Sequence, residues 1–416
     1  MALVCLPLVA GKTAGMRTPA FVLSLLLALS GLAATPPHLS LEEVLTPFVQ
    51  HDEIAGVVAL VADREKVLAV TAVGFADIET KKAMQADSLF WIASQSKGMT
   101  AVAVLMLVDE GKIALDDPVE KYLPEFKGQM VAPPKLAGKA DPKGKAKGKG
   151  DESKVTLGPE PEPTPAAHPI TIREVLSHVS GLPFASAVEK PTLDGLPLAD
   201  AVKSYAKAPL ATQPGTHYQY SNAGINTAAR VLEVVSGMPY EAFMQKRLFD
   251  PLGMKDTTFW PNASQVARLA KTYKPDATKK KLMLGNLGQM QADLTDHVHR
   301  FPMPAGGLFS TASDTARFCQ MLLNRGELDG RRYLSLKSFE ALTTRQTPVG
   351  IKENYGLGLA VSPDGFGHGG AQATSMDIRM KNGIVVIWMV QHQGYVGNGG
   401  KAQGACKDWA VKEFGK

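Results

Sequence analysis

The stretch WIASQSKGMTAVAVLMLVDEG, residues 91–111, places a serine and a lysine three positions apart at the start of a long apolar run. Nearly every residue in 99–108 is apolar, so the pattern predicts a helix that is buried on all sides rather than amphipathic. Gly111 is a residue type that often ends such a helix. Because Ser94 and Lys97 lie one turn apart, we expect both side chains on the same face, where the lysine can contact the hydroxyl.

A lysine is almost never fully buried without a partner. Holding Lys97 beside Ser94 at the first turn of a core helix costs solvation, which predicts that the pair takes part in nucleophilic catalysis. The alternative is that Ser94 only caps the helix. A second S-x-x-K, Ser204 to Lys207, lies in LADAVKSYAKAPL. No buried helix follows it, and we interpret it as part of a surface helix.

A second candidate element is YQYSNAGIN, which contains the one Y-x-N of the chain, Tyr220-Ser221-Asn222. A tyrosine has a pKa of about 10 in water, and a neighbouring ammonium group lowers that pKa toward the working pH. Tyr220 is therefore a candidate base and acid, and Asn222 is a candidate to bind Lys97 and the substrate. The alternative is an ordinary loop tripeptide.

The glycine-rich stretch GFGHGGAQATS, near the C-terminal end of the chain, is a third candidate element. Gly369 and Gly370 have no side chains, so a backbone can approach a ligand closely there. The backbone amide of Ala371 is then expected to pair with that of Ser94 as an oxyanion hole. The alternative is a glycine-rich loop that carries a solvated His368.

In this order, the motifs S-x-x-K, Y-x-N and H-G-G resemble those of the serine β-lactamase and penicillin-recognising superfamily. The resemblance is to its branch of class C β-lactamases, D-Ala-D-Ala carboxypeptidases and related esterases. It covers residues 41–391 apart from a lysine-rich insertion. It implies an α+β fold, β-lactamase/transpeptidase-like, with an antiparallel five-stranded sheet flanked by helices and with a helical subdomain. It also implies acylation of the first-motif serine followed by hydrolysis.

Carried over position by position, the resemblance implies a role for each motif residue. The residues implied to be catalytic are Ser94 as nucleophile, Lys97 and Tyr220 for proton transfer, and Asn222 to orient the substrate. The residues implied to form the oxyanion hole and to bind substrate are Ala371, His368, Gly369 and Gly370. No cofactor is implied.

His368 stands where typical class C β-lactamases have a lysine. A histidine with the ordinary pKa of about 6.5 is only about a quarter protonated at pH 7, so it attracts a substrate carboxylate less than a lysine does. We therefore expect a serine hydrolase of esters or amides, an esterase or a D-Ala-D-Ala carboxypeptidase. A β-lactamase is the alternative. A penicillin-binding or sensing protein that acylates without turnover is a second alternative.

The chain has 416 residues, of which 45% are hydrophobic and 20% charged, as is typical of a globular protein. Residues 1–34 are predicted to contain an export signal, because Met16 and a following arginine precede an apolar core and a run of small residues. Met16 is the expected start. Residues 35–416 are the predicted hydrolase domain, exported to the periplasm or secreted, and a disordered Lys/Gly/Pro-rich insertion is predicted at 130–167.

The net charge of +5 owes much to KLAGKADPKGKAKGKGDESK, residues 135–154. No aromatic residues interleave with these lysines, so the tract indicates a solvated loop and not a nucleic-acid surface. Weak contact with an anionic envelope polymer is the alternative. The expected partner is a small-molecule or peptide substrate. No membrane span is expected, because each apolar run is shorter than the roughly 20 residues that a span requires.

No metal or other cofactor is expected. The stretch DHVH, residues 296–299, holds two histidines without a third ligand nearby in sequence, which is more typical of a solvated loop. Cys319 and Cys406 follow the signal region and lie in no metal-ligand spacing, so both are expected to be small buried apolar residues. The G-x-S-x-G and H-E-x-x-H motifs of other hydrolases do not occur.

The two ends of the chain predict one antiparallel sheet with a helical region between them. Runs rich in β-branched residues predict strands, namely 54–62 with 66–75 as a hairpin, 354–361, and 374–381 with 384–391 joined by a two-residue Asn-Gly turn. Helical spacing and terminal glycines predict helices over 41–50, in INTAARVLEVVSGM, in SDTARFCQMLLNRG and over 401–416.

Overall fold

The computed structural model describes residues 39–133 and 162–416. The predicted export signal therefore lies outside the described residues, as does most of the lysine-rich insertion, and both stay predictions. The two ends of that insertion are ordered, because Met130–Val131 and Thr164–Pro165 form an antiparallel pair through backbone hydrogen bonds. The expectation of disorder across the whole of 130–167 is thus wrong at both of its ends.

The described residues contain α-helices whose starts and ends follow capping signals in the sequence. Ser40 and Glu43 form a capping box at the first helix, and Gly237, at a φ of 69°, ends the fifth. In chain order the helices are α1 Leu41–Gln50, α2 Ser96–Asp109, α3 Ile172–Leu176, α4 Leu198–Ala206, α5 Asn222–Ser236, α6 Tyr240–Met244, α7 Asp250–Leu252, α8 Ala263–Arg268, α9 Ala312–Leu323, α10 Leu336–Thr343 and α11 Ala402–Phe414.

The strands of the described residues form one large sheet and several two-stranded pairs. In chain order they are β1 Gly56–Ala62, β2 Val67–Asp77, β3 Lys82–Ala83, β4 Phe90–Trp91, β5 Met130–Val131, β6 Thr164–Pro165, β7 Tyr273–Pro275, β8 Leu282–Leu284, β9 Phe309–Ser310, β10 Glu327–Leu328, β11 Arg331–Arg332, β12 Ala360–Ser362, β13 Gly365–Gly369, β14 Ser375–Arg379 and β15 Ile384–Met389. The large sheet is antiparallel and runs in the order β12-β13-β14-β15-β1-β2-β3. The antiparallel sheet that the resemblance implies is confirmed, but among the described residues it has seven strands rather than five. The short β12 and β3 lie at its edges, and β13 was not among the strands that the sequence pattern predicts.

The central strands β1 and β15 are buried on both faces. On β1, Val58 and Leu60 belong to one apolar core, whereas Val57 and Ala59 belong to a second core on the opposite face. This is why the run GVVALVA shows no alternation of apolar and polar residues. The sheet is the middle layer, with α1 and α11 on one face and α9 together with the helical region on the other.

The helix that follows the serine-lysine pair is buried on all sides, as its sequence predicts. Every residue of α2 from Ser96 to Leu107 is buried, and the helix contacts α5, α6 and α10. The 3₁₀ turn directly before it, Ala93–Gln95, lies against β13, an outer strand of the large sheet. The fold therefore brings the first and third motifs together although more than half of the chain separates them.

The predicted strand over 354–361 is wrong for most of its length. Only its last two residues lie in β12, and Tyr355 makes an isolated bridge to Ala360. The reason is close packing against α2, since a Cβ atom at Gly358 would lie 2.5 Å from the carbonyl oxygen of Lys97. This segment therefore packs along α2 instead of forming a strand of the sheet.

The hairpin of β14 and β15 is present, but its turn is longer than predicted. The last pair of the ladder is Arg379 with Ile384, so four residues join the strands instead of the Asn-Gly pair alone. The amide of Asn382 bonds to the carbonyl of Arg379, and Gly383 has a φ of 69°. The Asn-Gly signal thus marks the second half of a four-residue turn.

Cys319 and Cys406 are both buried and unbridged, and they lie in the two different apolar cores. The prediction that they are small buried apolar residues is confirmed. Among the residues that the structure describes, no helix is long and apolar enough to cross a membrane.

Candidate active site

Ser94 lies in a single turn of 3₁₀-helix, Ala93–Gln95, directly before α2. Ala93 has a φ of 45°, a left-handed conformation that is uncommon for a residue with a Cβ atom. The N-cap position of α2 is Gln95 rather than Ser94. Ser94 is only partly buried, so the turn presents its hydroxyl at the surface of a cavity, and the alternative of a simple helix cap does not describe it.

Lys97 is completely buried, and its Nζ atom contacts three oxygen atoms. Nζ lies 3.1 Å from Ser94 Oγ, 2.8 Å from Asn222 Oδ1 and 2.6 Å from the carbonyl oxygen of Ala305. Burial lowers the pKa of Lys97 well below the ordinary value of 10.5. The first two motifs therefore meet at one lysine whose pKa is lowered by burial.

The three contacts match the three donors of a protonated Lys97, and they also accommodate the neutral amine that burial makes more accessible. A neutral amine donates two hydrogen bonds and accepts one. The contacts with Asn222 Oδ1 and with the carbonyl of Ala305 require Lys97 to donate, whereas the Ser94 hydroxyl can itself donate. Lys97 Nζ donates to Ser94 Oγ when the lysine is protonated, and once the lysine has lost its proton the serine hydroxyl can donate to Nζ instead, which is the geometry of a base beside a nucleophile.

Tyr220 and Asn222 lie at the start of α5. Ser221 is the N-cap of that helix, and its hydroxyl accepts a hydrogen bond from the amide of Gly224. The cap fixes both flanking side chains, so that Asn222 contacts Lys97 and the Tyr220 ring lies 4.7 Å from Lys97 Nζ.

The structure corrects the expected charge of Tyr220. Burial raises the pKa of Tyr220 to about 12, and a hydrogen bond with Ser94 only partly opposes that effect. The expectation that Lys97 lowers the tyrosine pKa toward the working pH is therefore wrong, because burial disfavours phenolate and also favours a neutral Lys97. Tyr220 is a phenol in the free enzyme and is suited to donate a proton.

His368 lies on β13, with a hydrogen bond at each ring nitrogen. Nδ1 lies 2.6 Å from the carbonyl oxygen of Gly369 and therefore carries the proton, so Nε2 is an acceptor. Nε2 lies 3.0 Å from the hydroxyl of Tyr355 and 3.5 Å from that of Tyr220. Burial, and then the charge of Lys97, lower the pKa of His368 to about 4. The ring is neutral at pH 7, even more completely than the sequence predicts.

The two motif glycines differ in how much space surrounds them. A Cβ atom at Gly370 would lie 2.6 Å from the carbonyl oxygen of Ile92 and closer still to Thr374 Oγ1. At Gly369 the nearest atom would be 3.6 Å away. The close approach that the sequence predicts for both glycines is therefore needed only at Gly370, which lets β13 end against the turn that carries the nucleophile.

A cavity of about 300 Å³ opens at Ser94. Ala371, Gly369 and Gly370 lie on one side of it, and Tyr220 and Asn222 also line it. The remaining lining residues are mostly apolar, namely Trp91, Ala93, Phe184, Gln289, Met303, Ala305 and Gly306. Within the described residues, none that lines this cavity carries a positive charge.

The other sequence candidates lie elsewhere. Ser204 of α4 bonds to the hydroxyl of Ser186 and to the carbonyl of Ala201. In the stretch DHVH, His297 stacks on Trp260, and His299 pairs with a neighbouring aspartate in the loop. Across the described ranges 39–133 and 162–416, no group of three or more metal-ligating side chains is present.

Three groups at the site carry no motif signal of their own. The carbonyl of Ala305 is a backbone atom, and its position is fixed by a hydrogen bond from its own amide to Asn226 Oδ1. Tyr355 reaches His368 from a segment predicted as an ordinary strand. His178 packs against Tyr220.

Comparison with known proteins agrees with this geometry. A family model described as Beta-lactamase matches residues 41–404. The chain belongs to the beta-lactamase family. Protein Rv1367c of Mycobacterium tuberculosis is 30% identical to it over 376 residues, covering 82% of this chain and 86% of that protein. Esterase EstB of Burkholderia gladioli is 32% identical over 231 residues, covering 53% of this chain and 50% of EstB.

A solved structure with the same fold is that of EstCE1, described as a hydrolase with promiscuous acyltransferase activity. It has a TM-score of 0.69 and 22% sequence identity, and the match covers 89% of this chain and 97% of EstCE1. At this identity the likeness shows the fold alone. The sheet and helices of this beta-lactamase family member are therefore β-lactamase/transpeptidase-like, as the motifs imply, and the chain is a serine hydrolase by family.

Proposed function

We propose that this protein is a serine esterase that acts through an acyl-enzyme at Ser94. The observation that carries the proposal is the contact between Ser94 Oγ and the fully buried Nζ of Lys97, 3.1 Å away. The other two contacts of Nζ are with oxygen atoms that only accept. Burial lowers the pKa of Lys97, and a lysine that gives up its proton more readily can act as a base for the serine hydroxyl.

The proposed reaction begins when Ser94 Oγ attacks the ester carbonyl and its proton passes to Lys97. The amides of Ser94 and Ala371 stabilise the oxyanion. The carbonyl–oxygen bond then breaks, and Tyr220 gives its proton to the departing alkoxide because its phenol is protonated in the free enzyme. The proton held by Lys97 restores Tyr220. Water then attacks the acyl-enzyme by the same route in reverse, releasing the acid and regenerating Ser94.

The proposed preference for neutral esters rests on the absence of positive charge among the described residues that line the cavity. None of the described residues that line the cavity is cationic, and His368 has a pKa of about 4 because it is buried and near Lys97. A substrate carboxylate would therefore lack a charge-assisted partner. This favours neutral esters over the carboxylate-bearing substrates of a D-Ala-D-Ala carboxypeptidase or a β-lactamase.

The test is steady-state hydrolysis of p-nitrophenyl butyrate by the purified protein at pH 8. We expect multiple turnovers in the wild type, loss of turnover in Ser94→Ala, and wild-type turnover in Ser204→Ala, which removes the serine of the other S-x-x-K. A single burst without further product would instead support the penicillin-binding or sensing alternative. Full activity in Ser94→Ala would contradict the proposal.

We also propose that the enzyme is exported, on the strength of the signal pattern in residues 1–34. The mature protein is then expected outside the cytoplasm with its N-terminus near Ala34. Mass spectrometry of the N-terminal peptide in fractionated cells tests this. Finding the uncut chain in the cytoplasm alone would contradict export without affecting the hydrolase proposal.

A further inference from the structure

His178 contacts the chain on both sides of Tyr220. Its carbonyl oxygen accepts a hydrogen bond of 2.8 Å from the amide of Gln219, and its Nδ1 accepts one of 3.2 Å from the amide of Ser221. The two rings also pack together, with 4.6 Å between the centroids of His178 and Tyr220. The His178 side chain, which is 1% exposed, thus contacts the tyrosine ring and its backbone at once.

The backbone of His178 is held in an uncommon conformation directly after α3. Its φ is 63°, which a residue with a Cβ atom adopts only where its surroundings impose it. The helices α3 and α5 lie very close here, since a Cβ atom at Gly224 would be 2.6 Å from the carbonyl oxygen of Val175. His178 therefore links the rigid end of one helix to the residues that precede the next.

The hydrogen bond at Nδ1 fixes the protonation state that His178 needs. Because Nδ1 accepts from a backbone amide, the neutral ring carries its proton on Nε2. That nitrogen is buried and has no hydrogen-bond partner among the described residues, so the ring is held here at a cost in desolvation. Burial is the main cause that holds the pKa of His178 well below the ordinary value of 6.5. The ring thus stays an acceptor for Ser221.

His178 also contacts the second tyrosine that reaches His368. The ring centroids of His178 and Tyr355 are 4.8 Å apart. The hydroxyl of Tyr355 bonds to His368 Nε2, the same atom that lies 3.5 Å from the Tyr220 hydroxyl. One buried ring therefore packs between the two phenols that converge on His368.

We propose that His178 is a positioning residue for the reaction, which holds the Tyr220 phenol in line with Ser94 through the amides of Gln219 and Ser221. The role rests on the proposed function, because it acts through the proton that Tyr220 donates. His178 is not among the described residues that line the cavity at Ser94, so its effect on the reaction would pass through Tyr220. Misplacement of a catalytic group by about 1 Å can cost on the order of 100-fold in rate.

The test compares His178→Leu with His178→Asn. Asparagine keeps an acceptor near the Nδ1 position and tolerates a left-handed backbone, whereas leucine has no acceptor. Active sites are counted by fluorophosphonate titration, so that a loss of folded protein does not count as a loss of rate. We expect His178→Leu to lower kcat per active site by about 10- to 100-fold with little change in KM, and His178→Asn to recover most of the loss.

The decisive step repeats His178→Leu in a Tyr220→Phe background. If His178 acts through the Tyr220 hydroxyl, the second substitution causes little further loss of kcat once that hydroxyl is absent. An equal fold loss in both backgrounds would overturn the positioning role and leave the proposed function intact. Wild-type protein without esterase turnover would overturn both. If His178→Leu does not fold, His178→Gly, which also lacks an acceptor and tolerates the left-handed backbone, is taken through the same cycle.

Discussion

Lys97 Nζ lies 3.1 Å from Ser94 Oγ, and the whole lysine side chain is closed to solvent. A buried lysine is ordinarily paired with a carboxylate, yet the contacts of Nζ are a hydroxyl, an amide oxygen and a backbone carbonyl. Burial without a carboxylate among these contacts therefore lowers the pKa of Lys97, so the lysine loses its proton more readily and can act as a base toward the neighbouring serine.

This relationship predicts the pH profile of the enzyme. Burial lowers the pKa of Lys97 well below 10.5, so the fraction of neutral lysine rises with pH and is complete before a solvated lysine would titrate. We expect kcat/KM for p-nitrophenyl butyrate to rise from acid pH and to reach its plateau well below pH 10.5. A rate that still climbs through pH 10 would contradict the assignment. Lys97→Arg, which stays protonated, is expected to be inactive at every pH.

His368 predicts how the preference for neutral substrates depends on pH. With a pKa of about 4, caused by burial and then by Lys97, the ring gains charge only near pH 4 and below. The ratio of kcat/KM for p-nitrophenyl butyrate to that for a carboxylate-bearing cephalosporin is therefore expected to favour the ester at pH 8 and to stay constant down to pH 6. An ordinary pKa of about 6.5 would make that ratio fall across this range.

The matched variant for this preference is His368→Lys. A lysine supplies a charge-assisted hydrogen bond to a carboxylate, worth about 1.5–3 kcal/mol, so the gap between the two substrates is expected to narrow. If wild-type protein prefers the cephalosporin at pH 8, the esterase proposal is wrong and β-lactamase becomes the leading function.

Much of this site could be predicted from sequence because its chemistry depends on residue types at fixed spacings. The three motifs supplied Ser94, Lys97, Tyr220, Asn222 and His368, and the structure brings all five together. The charge states could not be predicted from the motifs. A motif shows which ionisable residues are neighbours, but the pKa of each also depends on its burial, and burial depends on the whole fold. Burial is the larger effect at Tyr220, and it reverses the expected direction of the pKa shift.

In the fold, too, features set by neighbouring residues could be predicted, whereas features set by contacts between distant parts of the sequence could not. The hairpin of β1 and β2 was predictable, since β-branched runs and a short polar turn define it. The segment around Tyr355 was not, because its path follows contact with α2, which lies far away in sequence. The carbonyl of Ala305 could not be predicted from residue types, since every residue has a carbonyl.

The glycines of the third motif provide a matched pair for stability. Gly370→Ala would place a Cβ atom 2.6 Å from the carbonyl oxygen of Ile92, whereas at Gly369 the nearest atom to a Cβ would be 3.6 Å away. Overpacking of this kind costs about 1–3 kcal/mol. Thermal unfolding is expected to show a lower Tm for Gly370→Ala and little change for Gly369→Ala. Equal Tm values for the two variants would contradict the close approach.

The ends of the insertion predict where it can be shortened. Val131 pairs with Thr164, so the chain leaves and returns at adjacent positions. Deletion of 135–160 is expected to leave kcat and Tm nearly unchanged, because the entropy of closing a loop varies slowly with its length. A control deletion of 135–166 also removes the strand Thr164–Pro165 and is expected to lower Tm. A collapse of kcat in the shorter deletion would show that the insertion acts at the site.

The central claim is that Ser94 forms the covalent intermediate, and mapping a fluorophosphonate adduct by mass spectrometry tests it most directly. Wild-type protein and Ser204→Ala are expected to carry one adduct on the peptide that contains Ser94, and Ser94→Ala is expected to carry none. The adduct should form more slowly in Lys97→Arg, because the serine then lacks its base. Labelling that persists in Ser94→Ala, or that disappears only in Ser204→Ala, would contradict the account.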